Sequence, residues 1–341
     1  WNKMKTLNVA VIGAGSMGKN HARVYSSIKD AKLVAISDID DEAGKIATQF
    51  NAKYYKNYKE MLSKEKLDAV SICVPTKLHK IVALDVIKNK ISILVEKPIA
   101  ATPQEAGEII DAAEKNRVKL MIGHIEHFNP VVVELKKRIQ RNELGKIMQV
   151  HCQRLSLFPQ RIIDVGVIID LAIHEIYVLM HLIDSKIKRV YAETAQRFHS
   201  SHEDLLIGTI RFDNNVLGVI SSNWLTPKKV RQIKVTGEKG MFFADYLTQE
   251  LYFYEKQFAA KSADYNEAFI KGREGKKIKI EIKKSEPLKN ELEAFIGCIK
   301  KNKEVPVTGK DGLEALEIAR KFLESSKKNE VIVAKDTNFY I

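Results

Sequence analysis

The chain has 341 residues, of which 45% are hydrophobic, and a formal net charge of +13 from 56 basic and 43 acidic side chains. That length predicts about two domains with ample cores. The three cysteines, Cys73, Cys152 and Cys298, form no C-x-x-C pair, which excludes a disulfide framework and fits a reducing cytoplasm. The excess lysine is scattered, with local clusters at Lys228-Lys229, Lys276-Lys277 and Lys283-Lys284. Without a helix-turn-helix signal or aromatic–basic interleaving it reads as solvated surface, and no nucleic-acid partner is expected.

The first element is a buried strand over 7–12 that runs directly into Gly13-x-Gly15-x-x-Gly18. No signal peptide is expected ahead of it. An amphipathic helix over 16–29 follows, then a strand over 32–37 ending at Asp38, twenty residues after Gly18. This is the dinucleotide-binding fingerprint in its required strand–turn–helix context. Gly13 permits the tight turn, Gly15 lets the backbone approach a pyrophosphate, and Gly18 lets the helix sit close to the strand. The helix start, with Ser16 and Met17, offers unpaired N–H groups to phosphate. A carboxylate at Asp38 suits both ribose hydroxyls and repels a 2′-phosphate, and no Arg or Lys stands beside it, so NAD is favoured over NADP.

Further strands are predicted at 68–74, 91–95 and 118–123, with helices at 41–50, 57–64, 78–89 and 103–116. Thr102, Pro103 and Glu105 form a helix-start signature. Alternating strands and helices imply a parallel sheet with right-handed crossovers. The rhythm changes at Asn129-Pro130, which predicts domains over 1–125 and 126–341. A helix over 131–141 and a strand over 147–156 lead to a long apolar run, Val165 to Ile183. That run contains Asp170, His174, Glu175 and His181, so it predicts a buried helix that carries chemistry and no bilayer span. Strands follow at 187–196, 205–212, 215–223, 230–236, 241–246, 250–255 and 277–283, with a hairpin turn at Asp213-Asn214-Asn215. Helices at 286–301 and 310–327 and a short strand at 331–334 close the chain. The fold class is α/β: a Rossmann domain with a parallel sheet, then an α/β domain whose sheet is predominantly antiparallel.

Ligands of open parallel sheets bind at the carboxyl ends of the strands. There the sequence places Pro75-Thr76 with His79 one turn on, Glu96-Lys97-Pro98, and Gly123-His124. Lys97 ends an apolar strand and is stiffened by the following proline. Asp170 and His174 lie four apart on one helix face. They read either as an acid–base pair or as a self-satisfied buried pair. The spacings His124-x-x-His127 and His199-x-x-His202 match neither H-E-x-x-H nor a cysteine set, so no metal is expected.

Together these residues resemble the glucose–fructose oxidoreductase/inositol dehydrogenase/MocA family over nearly the whole chain. The resemblance rests on the glycine fingerprint, Pro75-Thr76-Lys77-Leu78-His79, Glu96-Lys97-Pro98, Gly166 through Asp170 to His174, Pro287–Phe295 and Val307–Leu313. It implies hydride transfer between a sugar-like alcohol carbon and a nicotinamide. Lys97, Asp170 and His174 would be the catalytic set, with His79 and Glu96 near the cofactor and a cis Lys97–Pro98 bond. Two segments, Gly123 to Pro130 and Arg154 to His174, are similar to a nucleotide-sugar branch that oxidises C3 of UDP-N-acetylglucosamine. They imply His124, Asn129, Arg154, Arg161, Asp170 and His174 as substrate contacts. His127 stands where that branch has Arg, and His174-Glu175-Ile176-Tyr177 where it has His-Asp-Ile-Asp. Inositol, a free hexose or another nucleotide sugar remain alternative substrates, and a nicotinamide-sensing protein without turnover is the alternative of another class. The family also implies a homo-oligomer, a dimer or tetramer.

Overall fold

A computed structural model describes residues 6–159, 165–199, 201–256 and 275–334. By contact the chain divides into two units: residues up to Phe128 with Ser285–Glu317, and Asn129–Lys284 with the residues from Ile318 on.

The first unit holds a six-stranded sheet in the order β3-β2-β1-β4-β5-β6. Its strands are β1 (Leu7–Ile12), β2 (Ala31–Ser37), β3 (Lys53–Tyr55), β4 (Ala69–Ile72), β5 (Ser92–Glu96) and β6 (Leu120–Gly123). Every pair is parallel. All residues of β4 and β6 are buried, as expected of a parallel sheet covered by helices on both faces. The helices are α1 (Ser16–Tyr25), α2 (Ala43–Gln49), α3 (Tyr58–Lys64), α4 (His79–Lys88) and α5 (Pro103–Asn116). Thr102 caps α5 by accepting the Glu105 N–H at 3.2 Å, and Glu105 returns a carboxylate to the Ala101 N–H. Strand β3 is too short and polar to show in the sequence.

The chain returns to this unit after residue 284. Helix α8 (Pro287–Lys301) packs on α1, with ion pairs Arg23–Glu286 and Lys300–Asp30. The Val307 carbonyl accepts the Ile122 N–H at 3.1 Å, covering β6. The start of helix α9 (Gly309–Lys328) then comes so close that a Cβ on Gly309 or Gly312 would lie 2.7 or 2.9 Å from Ile110, Leu120 or Ile122 atoms. By contact, residues 285–317 therefore group with the first unit. The later segment supplies backbone and apolar contacts that a linear reading assigns to the second domain.

The second unit holds a nine-stranded sheet in the order β14-β13-β12-β11-β7-β10-β9-β8-β15. These are β7 (Ile147–Leu157), β8 (Ile187–Ala195), β9 (Leu205–Phe212), β10 (Leu217–Asn223), β11 (Leu225–Gly237), β12 (Gly240–Asp245), β13 (Glu250–Glu255), β14 (Lys277–Ile280) and β15 (Ile332–Val333). Only β7 and β10 pair in parallel; the other pairs are antiparallel. Buried residues alternate with half-buried or exposed ones along β9 and β10. One face is thus core, covered in part by α6 (Pro130–Gln140) and α7 (Ile173–Leu182). The predicted helix over 165–183 is α7 preceded by a π turn, Ile168–Ala172. No helix among the described residues is long and apolar enough to cross a membrane.

Candidate active site

In the first unit the strand order reverses between β1 and β4, which opens a crevice at their carboxyl ends. The three glycines there meet different demands. Gly13 has φ +92°, and a Cβ on it would lie 2.6 Å from the Cys73 carbonyl carbon. A Cβ on Gly18 would lie 1.7 Å from the Gly13 oxygen. Around Gly15 nothing stands within 4 Å of such a Cβ, so an open cradle lies at the first turn of α1, where Ser16 and Met17 begin the helix. Asp38 takes the Ala14 N–H at 2.5 Å and the Asp40 N–H at 2.9 Å. This fixes a carboxylate beside the glycine loop. The residues fit a dinucleotide: backbone donors for its pyrophosphate, an acid for its ribose, and room where the backbone must be approached.

Pro75 and Thr76 follow β4 at the same edge, and His79 opens α4. The His79 ring is buried, with Nδ1 2.8 Å from the Pro98 carbonyl and Nε2 2.9 Å from the Val74 carbonyl. It laces the end of β4 to the turn after β5. Burial lowers its pKa against the pull of both carbonyls. Lys97 is half-buried at that turn, and the Lys97–Pro98 bond is cis. His124 is 1% exposed, and burial, with the charges of Lys97 and His127, pushes its pKa down to about 3. It is a neutral imidazole at physiological pH.

Glu96 turns inward. It accepts His21 Nε2 at 2.9 Å and lies beside Glu291 of α8, the donor atoms of the three groups all within 4.8 Å of one another. Both Glu291 oxygens are buried without a hydrogen-bond partner. A bare carboxylate is costly there. Burial, then Glu96 and Glu126, hold the Glu291 carboxyl well above the usual range, favouring the protonated acid. Among the described residues this is the one His–carboxylate group compact enough to hold a metal ion. The sequence reading missed His21 and Glu291. An acid inside the apolar stripe of Leu288, Leu292 and Phe295 was the available signal.

In the second unit, Asp170 lies on the π turn and His174 in the first turn of α7, both half-buried on a mostly buried segment. Glu203 secures this start. Its main-chain oxygen accepts the Val167 N–H at 2.9 Å and its carboxylate the Ile168 N–H at 3.1 Å. A Cβ on Gly166 would lie 2.1 Å from that carboxylate, which explains the glycine. Burial raises the Glu203 pKa, partly offset by the Ile168 N–H. His199, of the second H-x-x-H pair, uses Nδ1 to accept the Ser201 and His202 N–H groups.

Arg154 is buried and ion-paired to Glu175 at 2.5 Å, with the Tyr246 hydroxyl donating to the same carboxylate at 3.3 Å. Asn129 caps α6 through the Val131 N–H and donates to the Tyr246 carbonyl at 3.2 Å. Arg161 lies outside the described residues. A cleft of about 360 Å³ is bordered by Asp170, Leu171, Trp224, Pro227, Lys229 and Arg231, with Ser156, Leu157 and Pro159. Lys229 and Arg231 did not stand out in the sequence, where Lys228-Lys229 read as surface charge.

A parallel sheet with a glycine-cradled crevice, followed by a mostly antiparallel sheet, defines a two-domain nicotinamide oxidoreductase. The chain belongs to the Gfo/Idh/MocA oxidoreductase family: the profile of its NAD-binding Rossmann domain matches residues 7–124, and that of its C-terminal α/β domain residues 136–334. The chain is 26% identical over 344 residues to the myo-inositol 2-dehydrogenase of Thermotoga maritima, covering 96% of this chain and 100% of the relative. To the UDP-N-acetylglucosamine 3-dehydrogenase of Acidithiobacillus ferrooxidans it is 24% identical over 315 residues, 92% of this chain and 95% of the relative. A crystal structure of the latter superposes with a TM-score of 0.83 at 22% identity, covering 94% of this chain and 98% of that one.

Proposed function

We propose that the protein is an NAD-dependent dehydrogenase of a sugar hydroxyl, with C3 of UDP-N-acetylglucosamine oxidised to the 3-keto sugar. The observation that carries this reading is the placement of Asp170 on the border of a partly cationic cleft, with His174 one turn further along a helix start fixed by Glu203. A neutral buried pair would need neither the cleft nor that cap. Gly13, Gly15, Ser16, Met17 and Gly18 hold the pyrophosphate, Asp38 the adenosine ribose, and Pro75, Thr76, His79 and Glu96 form the wall beside it. A nicotinamide held by these residues would supply the acceptor for the hydride of the carbinol carbon. His174 removes the hydroxyl proton, a role worth about 10² to 10⁴ in rate. Lys97 orients the hydroxyl and stabilises negative charge as it develops on oxygen. Asp170 is the acceptor for a substrate hydroxyl, and Arg154, Asn129 and His124 are the further substrate contacts. A homodimer or tetramer is the proposed assembly.

Full-length similarity to a myo-inositol 2-dehydrogenase supports a second reading, a neutral polyol substrate. The test follows reduced-nicotinamide absorbance with NAD⁺ and UDP-N-acetylglucosamine, with myo-inositol and free hexoses in parallel. Turnover of the UDP-sugar alone is expected, and His174→Ala should cut it by about 10² or more while sparing NAD⁺ binding. Turnover of a neutral polyol alone would replace the substrate, and NAD⁺ binding without any turnover would point to a sensing role.

A further inference from the structure

The cleft beside Asp170 carries more positive charge than a neutral sugar requires. Strand β11 pairs Leu225 with Leu157 and Val230 with Leu155. Four residues, Thr226 to Lys229, thus stand opposite the single Ser156. A bulge of this kind re-aims side chains out of the ladder, as happens beside many active sites. Here it brings Pro227 and Lys229 to the cleft border. Lys229 is exposed and has no ion-pair or hydrogen-bond partner among the described residues.

Arg231 is held differently. It is 7% exposed, and its Nη1 donates to the Leu155 and Val230 carbonyls at 2.7 Å each. Its charge is therefore fixed in place by main chain. Among the described residues Asp170 is the one carboxylate on the cleft border, beside two cations. The remaining border is mostly apolar, including Trp224, whose buried indole stacks at 22° on His199. Two cations along a partly apolar wall suit an anionic ligand group, because charge-assisted hydrogen bonds are about twice as strong as neutral ones. A neutral polyol would leave Lys229 without an anionic partner.

We infer that Lys229 and Arg231 form an anion subsite that receives the phosphate groups of the substrate, and that they select a nucleotide-linked sugar over a free polyol. The inference rests on the sugar-dehydrogenase reading for its biological meaning. Its test does not require turnover. The probe is UDP, titrated by calorimetry into protein saturated with NAD⁺, so that the dinucleotide crevice is closed to it.

Wild-type protein should bind UDP, and Lys229→Gln should bind it at least about tenfold more weakly, the scale of one charge-assisted hydrogen bond. Lys228→Gln, which removes the same charge one residue away, should stay within about twofold of wild type on that scale. No UDP binding by wild type, equal binding by Lys229→Gln, or equal weakening by both variants would overturn the subsite. Turnover on the same samples keeps the two ideas apart. Loss of the subsite with sugar oxidation intact rejects this inference alone, whereas UDP binding at Lys229 without any sugar oxidation rejects the dehydrogenase reading alone. Where turnover is present, Lys229→Gln should raise KM for the UDP-sugar and leave KM for a neutral alcohol unchanged.

Discussion

Gly15 and Gly18 sit three residues apart and tolerate change in opposite ways. A methyl on Gly18 collides with the Gly13 carbonyl, while a methyl on Gly15 meets open space. Gly18→Ala should therefore lower stability by about 1–3 kcal/mol or more, an overpacking cost. Gly15→Ala should leave the melting temperature near wild type and weaken NAD⁺, because the methyl fills the cradle a pyrophosphate occupies. Paired thermal melts and NAD⁺ titrations decide it; equal losses in both properties for both variants would remove the distinction. Buried histidines at this scale act through the main chain. His79 bonds two carbonyls and His199 accepts two N–H groups, and neither use is visible from spacing.

At the scale of elements, the start of the Asp170 helix depends on a residue from another loop. Replacing Glu203 by Ala removes the acceptor of the Ile168 N–H, and a lost cap costs about 0.5–2 kcal/mol. Glu203→Gln retains a carbonyl oxygen in the same place. The expected pattern is a fall in kcat for Glu203→Ala with NAD⁺ affinity intact, and recovery in Glu203→Gln. A kcat unchanged in both variants would reduce Glu203 to a stabilising cap. Elements with strong local signals were legible in advance: β1 over 7–12 and α5 over 103–116 have the predicted limits, because a continuous apolar run and a Thr-Pro-x-Glu start are decisive within a few residues. Strand β3 was not, since three residues carry no period. Strand β11 begins five residues before its predicted start because Pro227 and two lysines hide a bulged ladder. The candidate catalytic residues stood out by type and spacing, but Lys229 could not be told from surface charge without its partner strand.

At the scale of the whole chain, the Glu291 carboxyl records how the later segment is bound into the first unit. Its pKa is raised in the folded protein. The native state therefore holds a proton that the unfolded chain releases near the ordinary carboxyl range. This contribution to stability is full below that range and is lost as pH rises towards the folded pKa. Glu291→Gln carries no such proton, so its stability should fall less than wild type's between mildly acidic and neutral pH. Melting temperatures across that window measure it, and parallel curves would place the proton elsewhere. Charge scattered over the surface gives no comparable handle, since exposed pairs such as Lys45–Glu42 contribute little.

The return of residues 285–317 also sets an order of events during synthesis. Domains generally fold as units, amino-terminal first, as the chain emerges. Here the amino-terminal sheet cannot complete its outer edge when residue 128 leaves the ribosome, because the Val307 carbonyl and the glycines at 309 and 312 arrive about 180 residues later. Until then the Ile122 N–H lacks its partner and the flank of Ile110 and Leu120 lacks its cover. Strands β7 to β14 of the second unit are made while the first is unfinished. The nascent chain thus passes through a stage at which an unprotected strand edge must be kept from pairing with a neighbour on the same message.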